Sequence, residues 1–210
     1  MLRTSTQHHV DPGRPGGSFS QPRPRGIIAA DFFHVDTALG RRLYALAFLE
    51  HGTRRLHITG VTARPTQAWT AQQARNLSAD LGTPMESLRF LLRDRDDKYD
   101  EAFDTVFKAE ELRVIKSAPQ APRMNAHCER IIGTIRREIL DHILITGEAH
   151  ARQVLAAYEI HYNKHRPHQA RCQLPPEAQE QPATVHDLEN RRLLRTRILG
   201  GLINEYRYAA

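Results

Sequence analysis

The segment APRMNAHCERIIGTIRREILD, residues 121–141, carries the strongest structural signal in the sequence. Its proline-rich start, followed by helix-compatible residues, predicts a helix that is entered from a loop. Ile131, Ile135 and Ile139 recur every four residues and predict an apolar stripe that packs on a core. Glu129 falls on another side, one to two turns from two arginines. An exposed helix with ordinary ion pairs would show the same pattern, so acids elsewhere in the chain decide between the two interpretations.

Five short apolar runs elsewhere in the chain predict the strands of a sheet. They cover residues 27–33, 43–49, 56–61, 88–93 and 112–116. Short turns separate the first three, which is typical of an antiparallel meander. Helical spacing predicts further helices over residues 65–81, 102–107 and 148–161. This order of strands and helices indicates a mixed α/β fold.

The composition indicates an anionic partner in a reducing compartment. The sequence has 30 Lys+Arg against 24 Asp+Glu, a formal net charge of +6 at pH 7 with neutral histidines. Its two cysteines, Cys128 and Cys172, have no paired spacing, which argues against a disulfide framework or a zinc knuckle. No apolar run approaches the length of a membrane span, and the N-terminus lacks the apolar core of a signal peptide. We therefore expect a cytoplasmic protein with no membrane partner.

Composition also divides the chain into three parts. Residues 1–25 contain Gly, Pro, Ser, His and Arg with hardly an apolar residue, and are predicted to be a disordered basic lead-in. Residues 26–170 contain all five predicted strands and the predicted helices, and form the predicted core domain. Residues 171–210 form a polar, Arg-rich C-terminal tail, in which we predict a small hairpin about Gly200 and Gly201.

Three acids are candidates for one shared site. Asp31 is embedded in an apolar run, where an ionised carboxylate is unfavourable unless a positive charge neutralises it. Asp94 ends another apolar run and would emerge at the same rim if the two strands were neighbours, and a helix packed across the sheet would bring Glu129 there. Converging carboxylates repel each other, and all-oxygen ligation favours Mg²⁺ or Mn²⁺. Two such ions can hold the attacking and leaving oxygens of a phosphoryl transfer.

Other interpretations of these aspartates stay open from the residues alone. Asp31 can be a strand-end acid paired with Arg25 or Arg41, and Asp94 can belong to an exposed charged turn. Three nearby acids compete as metal ligands, namely Asp36, Asp96 and Asp97. The first would point to the opposite strand face from Asp31, and the other two are typical turn acceptors. We prefer Asp94 because it directly ends an apolar strand.

The order and spacing of Asp31, Asp94 and Glu129 resemble the DDE motif of the retroviral-integrase catalytic core. The closer likeness is to bacterial insertion-sequence transposases. Four stretches carry the resemblance: ADFFHVDT at residues 30–37, RDRDDKY at 93–99, NAHCER at 125–130 and HYNKHRPH at 161–168. Each stretch alone would be a weak signal, and their combination is specific.

The resemblance implies a ribonuclease H-like α/β fold. In this fold helices flank a five-stranded mixed sheet, and the first three strands of the sheet are antiparallel. It also implies metal-dependent cleavage at transposon ends and transfer of the 3′-hydroxyl into target DNA. By position, Asp31, Asp94 and Glu129 would be the catalytic ligands of two Mg²⁺ (or Mn²⁺) ions. Because two DNA ends must be brought together, we expect a homo-oligomer that is associated with the nucleoid in the cytoplasm.

The implied partner is DNA, and basic residues near the three acids and at the end of the last predicted helix are candidates for contacts with its phosphates. They are Lys116, Arg123, Arg130, Arg136, Arg137, Lys164 and Arg166. A solvated basic face is an equally simple interpretation of any single one. As a group beside the predicted metal site, they favour nucleic acid.

Two alternative functions follow from the same residues. Transposases of this kind usually carry an N-terminal helix-turn-helix region that binds the ends of the element, and no such signal is found here. The chain could therefore be a catalytically silent DNA-binding or oligomerising transposase fragment. It could also be a ribonuclease H-like nuclease without strand transfer. The discriminating observation is whether a 3′-hydroxyl end is joined to target DNA or only released by hydrolysis.

Overall fold

A computed structural model describes residues 26–118, 125–178 and 192–209 of the chain. The predicted lead-in and Arg123 lie outside these residues. None of the helices in the described part of the chain is both long and apolar enough to span a membrane.

Five strands form one mixed sheet in the order β3-β2-β1-β4-β5. They are β1 (Ile27–Asp36), β2 (Arg42–Glu50), β3 (Leu56–Thr62), β4 (Phe90–Arg93) and β5 (Arg113–Lys116). The pairs β1–β2 and β2–β3 are antiparallel, whereas β1–β4 and β4–β5 are parallel. The predicted meander and the five-stranded mixed sheet are therefore confirmed.

Four helices flank the sheet: α1 (Gln67–Leu81), α2 (Glu101–Ala109), α3 (Ala126–Ile135) and α4 (Glu148–Lys164). Side chains cap the N-termini of α1 and α2, because Thr66 accepts a hydrogen bond from the Trp69 N–H and Asp100 from the Phe103 N–H. At the other end of α1, Gly82 adopts a positive φ of 52°, which suits glycine. The first helix thus ends where the sequence predicts.

The helix predicted up to Asp141 changes geometry after Ile135, where α3 gives way to a π-helical turn, Arg136–Leu140. A strict four-residue repeat drifts around an α-helix of 3.6 residues per turn, and the wider turn offsets that drift. Ile131, Ile135 and Ile139 consequently all remain buried. The predicted apolar stripe is real, and the local change of helix type keeps it facing the sheet.

Two apolar layers cover the two faces of the sheet. On one face, α1 and α2 pack against side chains such as Ile28, Ala30 and Phe48. On the other face, α3, its π-helical turn and α4 pack against a second set that includes Ala29 and Phe33. Neighbouring residues of β1 therefore alternate between the two layers, as expected of a central strand.

The predicted hairpin is present in the C-terminal part of the chain. Strands β6 (Leu193–Ile198) and β7 (Ile203–Tyr208) pair in antiparallel fashion around Gly200 and Gly201, both of which have positive φ. Ile203 packs against the same apolar layer as α3 and α4. The hairpin is also attached to α4 by polar contacts, since Glu205 accepts from His161 at 2.9 Å.

Candidate active site

Sheet register places the first two predicted acids side by side. Strand β1 pairs with β4 in parallel, with Ile27 opposite Phe90 and Ala29 opposite Leu92. Continuing this register by two residues sets Asp31 beside Asp94, which directly follows β4. The sequence analysis left open whether these two strands are neighbours, and the structure shows that they are.

Helix α3 carries the third acid to the same strand. The Cys128 thiol lies 3.5 Å from the carbonyl oxygen of Ala29, and the Asn125 side-chain amide donates to the carbonyl of Ala30 at 3.5 Å. Glu129 is adjacent to this anchored cysteine and lies in the first turn of α3, where it is exposed. The start of α3 is thus fixed directly over the part of β1 that precedes Asp31.

The electrostatics of Asp31 link it to both other acids. Burial is the largest cause that raises the pKa of Asp31 to about 7, and the negative charges of Asp94, Glu129 and Asp96 contribute to the same rise. A hydrogen bond with the backbone N–H of Phe32 acts in the opposite direction. No ion pair joins Asp31 to Arg41 within the described residues, and Arg25 lies outside them. The charges of Asp94 and Glu129 therefore both act on Asp31.

Asp94 lies in a loop that holds it in place. Its Oδ1 accepts a hydrogen bond from the backbone N–H of Asp96 at 3.2 Å, and Asp96 in turn accepts from the backbone N–H of Lys98 at 2.9 Å. Burial is the main cause of the raised pKa of Asp94; the charges of Arg93 and Lys98 act to lower it. Asp36, by contrast, is exposed and paired with Arg42 at 3.0 Å.

The sequence analysis overlooked two side chains beside these acids. Tyr99 is buried, and its hydroxyl has no hydrogen-bond partner among the described residues. Burial, then the charges of Asp31 and Asp94, raise the pKa of Tyr99 well above its usual range. The Lys98 ammonium lies 2.6 Å from Asp96 and 5.4 Å from the ring of Phe32. Their position at the end of the RDRDDKY stretch was the available signal for both residues.

The donor set suits a hard divalent cation, since it consists of carboxylates whose repulsion a cation would relieve. The orphaned hydroxyl of Tyr99 beside Asp31 and Asp94 adds a further oxygen to this environment. Within the described residues, however, no group of three or more His, Cys, Asp or Glu side chains is arranged to hold a metal ion. The three acids therefore influence one another's charge without forming a three-ligand metal site in the described residues. Glu129 is exposed, and it would have to move toward Asp31 and Asp94 to complete such a site.

Most of the predicted DNA-contacting residues have intramolecular partners. They are Lys116 with Asp104 (3.4 Å), Arg136 with the carbonyl of His34 (3.0 Å), Arg137 with Thr134 (3.3 Å) and Arg166 with Glu138 (2.7 Å). Arg130 and Lys164 are exposed, and Arg123 lies outside the described residues. Contact with DNA stays a prediction for all seven.

The HYNKHRPH stretch contributes to the packing of α4. The side chain of Asn163 is buried and forms two hydrogen bonds with the backbone of Leu56, accepting from its N–H at 2.9 Å and donating to its carbonyl at 2.7 Å. Arg166 binds both carboxylate oxygens of Glu138, which also accepts a hydrogen bond from the Tyr158 hydroxyl at 2.7 Å. These residues attach α4 to β3 and to the π-helical turn.

Residues 110–176 match the family model for the integrase core domain. A stretch of 58 residues is 41% identical to the insertion element IS476 uncharacterized 39.2 kDa protein of Xanthomonas euvesicatoria. That match covers 28% of this chain and 17% of the length of the relative. These findings confirm the resemblance to integrase cores and insertion-element proteins.

A solved structure extends the likeness over most of the fold. The chain is similar to one in the cryo-EM structure of the simian T-cell lymphotropic virus intasome in complex with PP2A regulatory subunit B56 gamma. The TM-score is 0.59 at 14% sequence identity, and the match covers 90% of this chain and 72% of that one. At this identity the likeness shows the fold, which is the ribonuclease H-like mixed sheet of integrase cores.

Proposed function

We propose that this chain, which carries a match to the integrase core domain, is the catalytic core of a DNA transposase or integrase. It would cleave DNA strands and join a 3′-hydroxyl end to target DNA by metal-dependent phosphoryl transfer. The observation that carries the proposal is the environment of Asp31, where burial and the charges of Asp94 and Glu129 raise the pKa of this carboxyl group to about 7. The family match and the fold support the same conclusion.

In this proposal Asp31, Asp94 and Glu129 would hold two Mg²⁺ or Mn²⁺ ions. Bound ions of this kind supply positive charge to the attacking and leaving oxygens of an in-line displacement. The chain itself supplies the placement of the carboxylates. The β1–β4 register sets Asp31 beside Asp94, and the contacts of Cys128 and Asn125 with β1 fix the helix that carries Glu129.

The neighbouring residues would prepare the acids for their role. Asp31 must lose its proton to act as a ligand, and because its pKa is raised to about 7 the metal-free protein loses this proton only as the pH approaches neutrality. The backbone N–H of Asp96 orients Asp94. Exposed cations, Arg130 and Lys164 among them, would position the DNA backbone without reading its sequence.

The partners follow from the same chemistry. The substrate is DNA, and joining two element ends requires more than one active site near the same DNA, so we propose a homo-oligomer when the ends are paired. A DNA substrate also places the protein at the nucleoid in the cytoplasm.

A nicking and joining assay on supercoiled plasmid tests the proposal. Asp94→Asn and Glu129→Gln should each reduce Mg²⁺-dependent nicking by at least a hundredfold and leave DNA affinity within about twofold. Asp97→Asn is the matched control, because it removes an exposed acid from the same loop. Binding of Mn²⁺, followed by electron paramagnetic resonance, should weaken in the first two variants and persist in the control.

The products separate the proposal from its alternatives. A labelled oligonucleotide whose 3′-hydroxyl end becomes covalently attached to the plasmid supports strand transfer. Nicking without joining identifies a nuclease of the same chemistry. Equal nicking by the wild type and both site variants, or DNA binding with no metal-dependent nicking at all, would contradict the proposed catalytic role.

A further inference from the structure

Arg93 is a buried charged residue that the proposed chemistry does not use. It is the last residue of β4, directly before Asp94, and it is only 2% exposed. Moving an ionised side chain out of water is unfavourable unless other groups bind it, so a buried arginine needs partners. The partners of Arg93 indicate what this arginine does.

The first partner of Arg93 is Asp104 of α2. The Nε atom of the arginine donates to Oδ1 of Asp104 at 2.7 Å, and its Nη2 atom donates to Oδ2 at 2.8 Å. This two-bond arrangement is among the strongest contacts between a guanidinium and a carboxylate. Asp104 is itself buried, and its Oδ2 also lies 3.4 Å from the ammonium of the exposed Lys116. The pair therefore fixes the plane of the guanidinium relative to α2.

The remaining amino group of Arg93 reaches the backbone of the candidate site. Its Nη1 atom donates to the carbonyl oxygen of Asp94 at 2.8 Å. The carbonyl of Arg93 accepts from the backbone N–H of Ser117, the first residue after β5, whereas the carbonyl of Asp94 accepts from this side chain. A guanidinium thus satisfies a backbone acceptor at the point where the chain leaves the sheet.

The far end of the loop that carries Asp94 also contacts Arg93. The guanidinium carbon lies 5.1 Å from the centre of the Tyr99 ring, a distance at which a cation and an aromatic ring attract each other. Between these contacts the backbone N–H of Asp96 donates to Oδ1 of Asp94, and the backbone N–H of Tyr99 donates to the carbonyl of Asp96. Arg93 therefore holds residues 94–99 at both ends.

We propose that Arg93 is a positioning residue for Asp94, and that Asp104 acts through it. Asp104 fixes the guanidinium, and the guanidinium fixes the loop whose first residue is Asp94. The held loop keeps the Asp94 carboxylate beside Asp31. The inference rests on the proposed function in taking Asp94 as a metal ligand. Losing a group that orients a ligand typically weakens metal binding by roughly 10- to 100-fold.

A buried ion pair that contributes only to the stability of the fold is the alternative. Replacing both partners of such a pair by apolar residues removes two buried charges together, which is often neutral for stability or stabilising. The site would then keep its properties. If Arg93 positions Asp94, the same replacement leaves the Asp94 carbonyl without its donor and loosens the loop over an intact core. Stability and site geometry should therefore respond differently.

The double variant Arg93→Met/Asp104→Leu separates the two roles. It removes one positive and one negative charge, so the net charge beside the site is unchanged. We expect a urea midpoint close to that of the wild type, and Mn²⁺ binding, followed by electron paramagnetic resonance at pH 8, that is at least about tenfold weaker. Exchange of the Asp96 backbone N–H, followed by NMR without metal, should become about tenfold faster, because this N–H donates to Asp94.

Arg93→Lys tests the same point while it keeps the positive charge. A lysine can pair with Asp104, but its single ammonium lacks the planar fork that binds this carboxylate and the Asp94 carbonyl together. We expect weaker Mn²⁺ binding and faster exchange of the Asp96 N–H in this variant too. It keeps the test decisive if the double variant does not fold.

The matched control is Asn163→Ala, which removes two buried hydrogen bonds between α4 and β3. It should lower the urea midpoint, because β3 loses partners for its backbone. Mn²⁺ affinity and exchange of the Asp96 N–H should stay within about twofold of the wild type, since the loop can open locally without the unfolding of α4.

The inference is refuted if the double variant and Arg93→Lys both keep the Mn²⁺ affinity and the Asp96 exchange rate of the wild type. It is also refuted if both quantities change only as much as they do in Asn163→Ala, because the pair would then act through stability alone. Failure of the proposed function is a separate result. A wild type that binds no Mn²⁺ contradicts the metal site, and the metal-free exchange of the Asp96 N–H still decides whether Arg93 fixes the loop.

Discussion

Replacing Asp31 by asparagine should stabilise the metal-free protein while it abolishes the proposed catalysis. The carboxyl group of Asp31 has its pKa raised from 3.8 to about 7 in the folded state, chiefly by burial and by the charge of Asp94. Folding therefore favours the protonated form. Asparagine has nearly the same shape and carries no charge, so it removes the repulsion without creating a cavity.

The direction of the pH dependence follows from proton linkage. Between pH 4 and pH 7 the folded state holds a proton on Asp31 that the unfolded state has lost, so the free energy of unfolding decreases as the pH rises. At about 1.4 kcal/mol per pKa unit, the rise from 3.8 to about 7 corresponds to about 4 kcal/mol. We expect Asp31→Asn and wild type to have similar stability near pH 4, and the variant to be more stable by up to this amount above pH 7.

Urea unfolding at a series of pH values, with a chelator present, measures this difference. Asp97→Asn serves as the control, because its acid is exposed in the neighbouring loop. Mg²⁺ at about a hundred times its dissociation constant should then stabilise the wild type by about 2.7 kcal/mol at pH 8, and the asparagine variant far less. Equal stability of wild type and Asp31→Asn at pH 8 would refute the argument that burial and the neighbouring carboxylates disfavour the charged form of Asp31.

Three further predictions concern the framework of the site, each measured by chemical denaturation. Asn163→Ala should lower the free energy of unfolding by about 2–3 kcal/mol, because two buried backbone groups of β3 lose their partners. Asp104→Ala should lower it by about 3–5 kcal/mol, because Arg93 is left as a buried unpaired charge, and adding Arg93→Met should recover part of the loss. Glu138→Gln should lower it by about 1–3 kcal/mol by weakening the contact with Arg166, a loss that salt should reduce. An unchanged midpoint in any of the three would contradict the role given to that residue.

The parts of the fold that the sequence predicted well depend on local patterns. Apolar runs marked all five strands, and α1 ends at Leu81 as predicted, although it begins at Gln67 rather than at residue 65. Strand ends were less accurate: β4 begins at Phe90 rather than at residue 88, because a short helical turn over Thr83–Ser87 ends in Leu88. Local sequence carries the signal for an element, while neighbouring turns decide where its hydrogen bonding starts.

The candidate site was predictable only in part, since its assembly depends on long-range contacts. Nothing in the residues themselves places β4 beside β1, although this parallel pairing is what brings Asp94 next to Asp31. Family resemblance supplied that step. The partners of Arg166 and Lys116 were likewise invisible in the sequence, because Glu138 and Asp104 reach them only through tertiary packing.

The surroundings of Asp31 explain why the sheet tolerates a carboxylate at its centre. Asp31 shares the strand face of Ala29 and Phe33, so the alternation of β1 directs it toward the layer formed by α3. Its partner on β2 is Ala47, and Phe33 is paired with Ala45, so small side chains flank it across the strand. These alanines let α3 approach β1 closely enough for Cys128 to contact the backbone of Ala29. The same close approach leaves the Asp31 side chain only partly exposed to water. A carboxylate at this position of the central strand costs stability, which agrees with the role of metal ligand that we propose for Asp31.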